Sequence, residues 1–71
     1  MKTLKFESQL RLYDVLQNEN VTNRELAHRV GISEQQIGKY VNYKAYPSLP
    51  RLHDIADALG LRVKDLFAPI G

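Results

Sequence analysis

The sequence predicts an all-α domain built from five short helices. Two observations carry that class. Apolar residues recur at helical spacing along most of the chain, and no segment alternates as a strand does. Two capping boxes, Thr22-x-x-Glu25 and Ser33-x-x-Gln36, open successive helices with Gly31 between them. The 71 residues are read as one domain spanning 1–71, with the paired helices over about 22–42.

The first helix is expected from about Ser8 to Asn18, on the spacing of Leu10, Leu12, Val15 and Leu16. Asn18-Glu19-Asn20 should break it, because asparagine favours turns and caps over helix interiors. Thr22 and Glu25 then start the second helix, whose buried stripe is Leu26, Ala27 and Val30. Gly31 stands where a helix end calls for a left-handed residue. Ser33 starts the third helix, which runs to about Val41 or Asn42. Tyr43 to Pro47 reads as an irregular loop.

Ser48 caps the fourth helix, and Pro50 fits its first turn, where no intrahelical N–H bond is lost. Leu49, Leu52, Ile55, Ala56 and Leu59 make its apolar face, and Gly60 ends it. A last short helix, about Val63 to Phe67, stops before Pro69.

Charge is informative through its distribution. The net charge is only +2, from 10 Lys+Arg against 8 Asp+Glu. Between Gln35 and His53 there is no acidic residue, yet Lys39, Lys44 and Arg51 are present. A local positive region on a nearly neutral chain points to an anionic partner met on one face.

The third helix supplies that face. With Ile37 at the centre of the inner side and about 100° per residue, Ser33, Tyr40 and Val41 fall inward. Gln35, Lys39 and Asn42 fall outward with Gly38 beside them, and Glu34 and Gln36 take the flanks. Glutamine bonds bidentately to the adenine N6/N7 edge, and lysine reaches guanine O6/N7 or a phosphate. Such a face, braced by a preceding helix, suits the DNA major groove. Gly38 has two readings, a closer approach to the groove or a surface glycine that the helix tolerates.

Other chemistries are poorly supplied. There is no cysteine, and His28 and His53 alone do not make a metal site. Asp54 and Asp57 are expected on the solvated side of the fourth helix. No catalytic constellation, phosphate loop or cofactor motif occurs, so neither an enzyme nor a cofactor is expected. No run approaches the ~20 apolar residues that span a bilayer. Met1 to Leu10 has no apolar signal-type segment, and the cytoplasm is the expected location.

These residues resemble the Cro and lambda-repressor-like helix-turn-helix family, also called the xenobiotic-response-element family. Leu26-Ala27, Gly31-Ile32 and Ile37 match its central motif. Pro47-Ser48-Leu49, Ala58-Leu59-Gly60 and Asp65-Leu66-Phe67 match its common tail. The resemblance covers about Leu10 to Phe67. It implies a sequence-specific regulator of transcription that binds double-stranded DNA, with a near-palindromic operator and a pair of protein copies. The alternative is a protein-interaction module, an antitoxin or adaptor, with DNA binding weak or lost.

Carried over by position, the resemblance implies base contacts from Glu34, Gln35 and Lys39. Gln36 matches a position facing a base or a phosphate. Asn23 matches a phosphate contact at a helix N-terminus, and Asn42, Tyr43, Lys44 and Tyr46 match the loop along the DNA backbone. From the residues themselves, Tyr43 and Tyr46 either give hydroxyls to phosphates or pack the loop. Leu61, Val63, Leu66, Phe67 and Ile70 are candidates for a homodimer surface or for closing the core.

Two departures stand out. Members often pair an Arg late in the first helix with a Glu late in the recognition helix. Leu16 and Val41 occupy the corresponding positions here, as if an ion pair had been exchanged for an apolar contact. Tyr43 replaces the usual Gly after the recognition helix.

Overall fold

The structure, a computed structural model, describes residues 9–67. It contains four α-helices: α1 Leu12–Glu19, α2 Asn23–Val30, α3 Glu34–Val41 and α4 Leu49–Leu59. A 3₁₀ turn, Val63–Leu66, follows, and no strand occurs among the described residues. The fifth helix expected from the sequence is therefore this single turn.

Local capping accounts for most of the starts. The Thr22 hydroxyl accepts from the Glu25 amide at 3.0 Å, and the Glu25 carboxylate accepts from the Thr22 amide at 2.9 Å. Both legs of that box are present. The second box is half formed. Ser33 Oγ accepts from the Gln36 amide at 3.1 Å, but the Gln36 side chain makes no return bond. One accepted bond still satisfies an orphan N–H, so α3 starts where expected. Ser48 Oγ accepts from the Arg51 amide at 3.3 Å and opens α4, with proline in its first turn.

α1 begins later than the apolar spacing predicts, and the expected start at Ser8 lies outside the described residues. Leu10 is buried but precedes the helix. The Arg11 amide donates to the Leu66 carbonyl at 2.8 Å, and its backbone is not helical. A long-range bond to the 3₁₀ turn thus delays α1 to Leu12. The helix then runs through Asn18 and Glu19 and closes at Asn20.

Each of the four helices is followed, within two residues of its end, by a residue with positive φ: Asn20 (58°), Gly31 (85°), Tyr43 (61°) and Gly60 (70°). In each case the next amide reaches back to a carbonyl in the last turn. Val21 bonds Leu16, Ile32 bonds Ala27, Lys44 bonds Lys39 and Leu61 bonds Ala56. These are Schellman-type closures, which favour glycine and sometimes asparagine at the left-handed position. Tyr43 is the exception.

One core joins the elements. Leu12, Val15 and Leu16 of α1 meet Leu26 and Ala27 of α2, Ile37, Tyr40 and Val41 of α3, and Leu52, Ile55 and Ala56 of α4. Leu10 and Leu66 close it from either end of the described chain. α2 packs on both α3 and α4, and α4 packs on the 3₁₀ turn. Ile37 is 0% exposed. Burying a side chain of that size stabilises by about 1.5–3 kcal/mol, against the ~1 kcal/mol that a helical glycine such as Gly38 costs relative to alanine. Packing, not propensity, therefore holds α3.

Some expected core positions move outward. Val30 and Leu59 are half-buried, and Ser33 is exposed as a cap. Leu49, the first residue of α4, is 62% exposed. It lies on the apolar side by helical count but at the end of the helix, beyond the packed layer. Asp54 and Asp57 are exposed as expected.

Candidate nucleic-acid interface

The interface is built on a pedestal. Gly31 turns the chain between α2 and α3 at φ 85°, a backbone that L side chains rarely adopt. Ala27 is buried and small, which permits close crossing of the two helices. Ile37, Tyr40 and Val41 then pin the inner side of α3 to the core.

The outer side of α3 is open. Glu34, Gln35, Lys39 and Asn42 are exposed, and Gln36 and Gly38 are half-buried. Gln35 and Lys39 stand one turn apart on this face. A Cβ built on Gly38 meets nothing within 4 Å, so no packing within the protein demands glycine there. Glu34 lies in the first turn, where the helix dipole favours a negative charge.

Asn23 opens α2 and is half-buried. It borders a groove of about 450 Å³ between one side of α1, the N-terminal end of α2 and the C-terminal end of α3. Leu16 and Val41, where the sequence resemblance leads one to expect an ion pair, both line this groove and both belong to the core. Tyr13 and Gln17 line it as well. Nothing in their sequence context singled them out. They lie one turn apart on α1, and only the packing of α1 turns them toward the start of α2.

The loop after α3 follows a defined path. The Lys44 and Ala45 amides both donate to the Lys39 carbonyl, at 2.8 and 3.3 Å. Lys44 and Tyr46 are exposed, Tyr46 at 64%. Tyr43 is 54% exposed, but its hydroxyl donates to the Leu10 carbonyl at 2.7 Å. Its one hydroxyl proton is thereby engaged within the protein. The structure sets Gln35 and Lys39 on the outer face of α3, with exposed Glu34 and half-buried Gln36 on its flanks. Asn23 lies at the entry of the neighbouring helix, and Asn42 to Tyr46 follow in the loop.

Among the described residues no group of three or more His, Cys, Asp or Glu is placed to hold a metal ion, and His28 and His53 are both exposed. No helix of the described residues is long and apolar enough to cross a membrane.

Two helices crossing at a glycine turn, the second buried on one side and polar on the other, define a helix-turn-helix module. The family model for the Cro/C1-type helix-turn-helix DNA-binding domain matches residues 11–70, and the chain belongs to that family. No curated protein and no solved structure matches it.

Proposed function

We propose that this chain is a sequence-specific regulator of transcription that binds double-stranded DNA with α3 in the major groove. The observation that carries the reading is the exposure of Gln35 and Lys39 one turn apart on α3, directly over the buried Ile37. Rigid backing matters because base readout needs side chains presented from a fixed frame. In this reading residues 1–71 act as one domain with its motif at about 22–42.

Glu34, Gln35, Gln36 and Lys39 address base edges. Asn23, Asn42, Lys44 and Tyr46 follow the phosphates, with help from the positive end of the α2 dipole. Tyr43 supports the loop from within. One such module covers a half-site, so the operator is near-palindromic with half-sites ~34 Å apart and is bound by two copies. Leu61, Val63 and Phe67 are half-buried and are the described candidates for contact between copies. Leu66 is buried in the core, and Ile70 lies outside the described residues. The activity is binding rather than catalysis, and its setting is the cytoplasm.

Selection of tight binders from random duplexes, followed by titration at two salt concentrations, tests the proposal. A selected near-palindromic sequence, bound with an affinity that falls steeply with salt, supports it. Absence of DNA affinity at low salt would favour the protein-interaction module. The uncharged Leu16 and Val41 already remove one family contact to phosphate in that direction.

A further inference from the structure

Tyr43 combines two unusual features. It is an aromatic residue in the left-handed region at φ 61°, where bulky side chains are genuine outliers. It also holds the C′ position of a full Schellman closure. The Tyr43 amide donates to the Tyr40 carbonyl at 3.3 Å, and the Lys44 amide to the Lys39 carbonyl at 2.8 Å. Glycine would take this backbone without strain. A strained backbone persists only where its surroundings over-determine it. The surrounding constraint here is the 2.7 Å bond from the Tyr43 hydroxyl to the Leu10 carbonyl, across 33 residues of sequence.

Leu10 is itself held. Its side chain is buried, and the next amide, that of Arg11, is bonded to the Leu66 carbonyl. The Leu10 carbonyl is therefore a fixed post on the body of the domain.

We propose that Tyr43 is a positioning residue: its hydroxyl ties the loop after α3 to the Leu10 carbonyl and so sets where Lys44 and Tyr46 stand relative to Gln35 and Lys39. A glycine at this place would close the helix but leave the loop untethered. For its consequence in DNA binding the inference rests on the function proposed above. The tether itself can be read without DNA.

The test uses Tyr43→Phe and Tyr43→Gly in the full chain. Amide hydrogen exchange of the free protein is followed by NMR at Lys44 and Ala45, with Leu26, Ile37 and Ile55 as core reporters. Losing the tether should speed exchange at Lys44 and Ala45 by about five-fold in Tyr43→Phe, the size of one ordinary hydrogen bond, with the core reporters changed less. Tyr43→Gly, relieved of backbone strain, should melt no lower than Tyr43→Phe yet show the same loosened loop. Unchanged exchange at Lys44 and Ala45, or equal acceleration at every site, would overturn the proposal. A duplex titration of the same variants reads the consequence. If the wild-type chain binds no DNA, the functional reading fails while the exchange result still decides the tether.

Discussion

The Arg29 guanidinium donates from Nη1 to the Ala58 carbonyl at 3.1 Å, joining the last turn of α2 to the last turn of α4. The Ala58 carbonyl is one of the helix-end acceptors that have no intrahelical donor. A cation there also meets the negative end of the α4 dipole. The bond steadies α2, and α2 is the brace under α3. Arg29→Ala should lower unfolding stability by about 1 kcal/mol, the net size of an ordinary hydrogen bond, because exposure to solvent weakens the charge assistance. Urea unfolding of the two proteins checks this, and coincident curves would show that the bond contributes nothing.

Gln35 faces outward in the first turn of α3 and is expected to read a single base pair. Gln35→Ala should cost ~1–3 kcal/mol of affinity for the selected operator and relax preference at one position only. Competition titrations against single-base variants measure it. Equal loss on every sequence would assign Gln35 to the backbone instead.

Lys44 is exposed in the tethered loop and is expected to meet a phosphate. Lys44→Ala should weaken binding to all sequences alike. It should also flatten the slope of log affinity against log salt by about 0.9, the value for one phosphate. An unchanged slope would remove Lys44 from the interface.

Gly38 lies within α3 with open space around the place of a Cβ. Gly38→Ala should raise stability by about 1 kcal/mol through helix propensity, or roughly 4–8 °C in melting temperature for a domain of this size. A thermal melt decides it. A lower melting temperature would mean that a neighbour has to give way to the new methyl group.

Glu25 gives a pH signature. The Thr22 backbone N–H, and secondarily the Thr22 hydroxyl, hold its carboxylate pKa below the ordinary glutamate value. The folded state thus favours the charged form. Its contribution is fully present above the unfolded pKa and is lost as pH falls through the lowered folded one. Melting temperatures of the wild type should therefore drop on acidification through and below the usual carboxylate range, and Glu25→Gln should drop less. Parallel pH profiles would exclude the capping carboxylate as the cause.

Much of this fold is written locally. Thr22, Ser33 and Ser48 mark helix starts because a cap is a bond between residues three apart in sequence. Asn20, Gly31 and Gly60 mark helix ends because their residue types accept a positive φ. The outward side of α3 was legible for a similar reason. Helical geometry separates Gln35 and Lys39 from Ile37 as soon as the helix itself is established.

The remainder depended on distant partners. The late start of α1 follows from the Arg11 amide meeting Leu66, and the path of the loop from the Tyr43 hydroxyl meeting Leu10. Tyrosine carries no local preference for a left-handed helix end, so its sequence neighbourhood could not announce that role. The groove beside Asn23 likewise arises from the angle at which α1 meets α2 and α3. Sequence alone determined the order of the four α-helices, the capped starts of α2, α3 and α4 and the polar face of α3, because those rest on backbone geometry and bonds within one turn. Tertiary structure alone decided how the loop and the groove stand around that face, because the contacts that hold them join residues far apart in the chain.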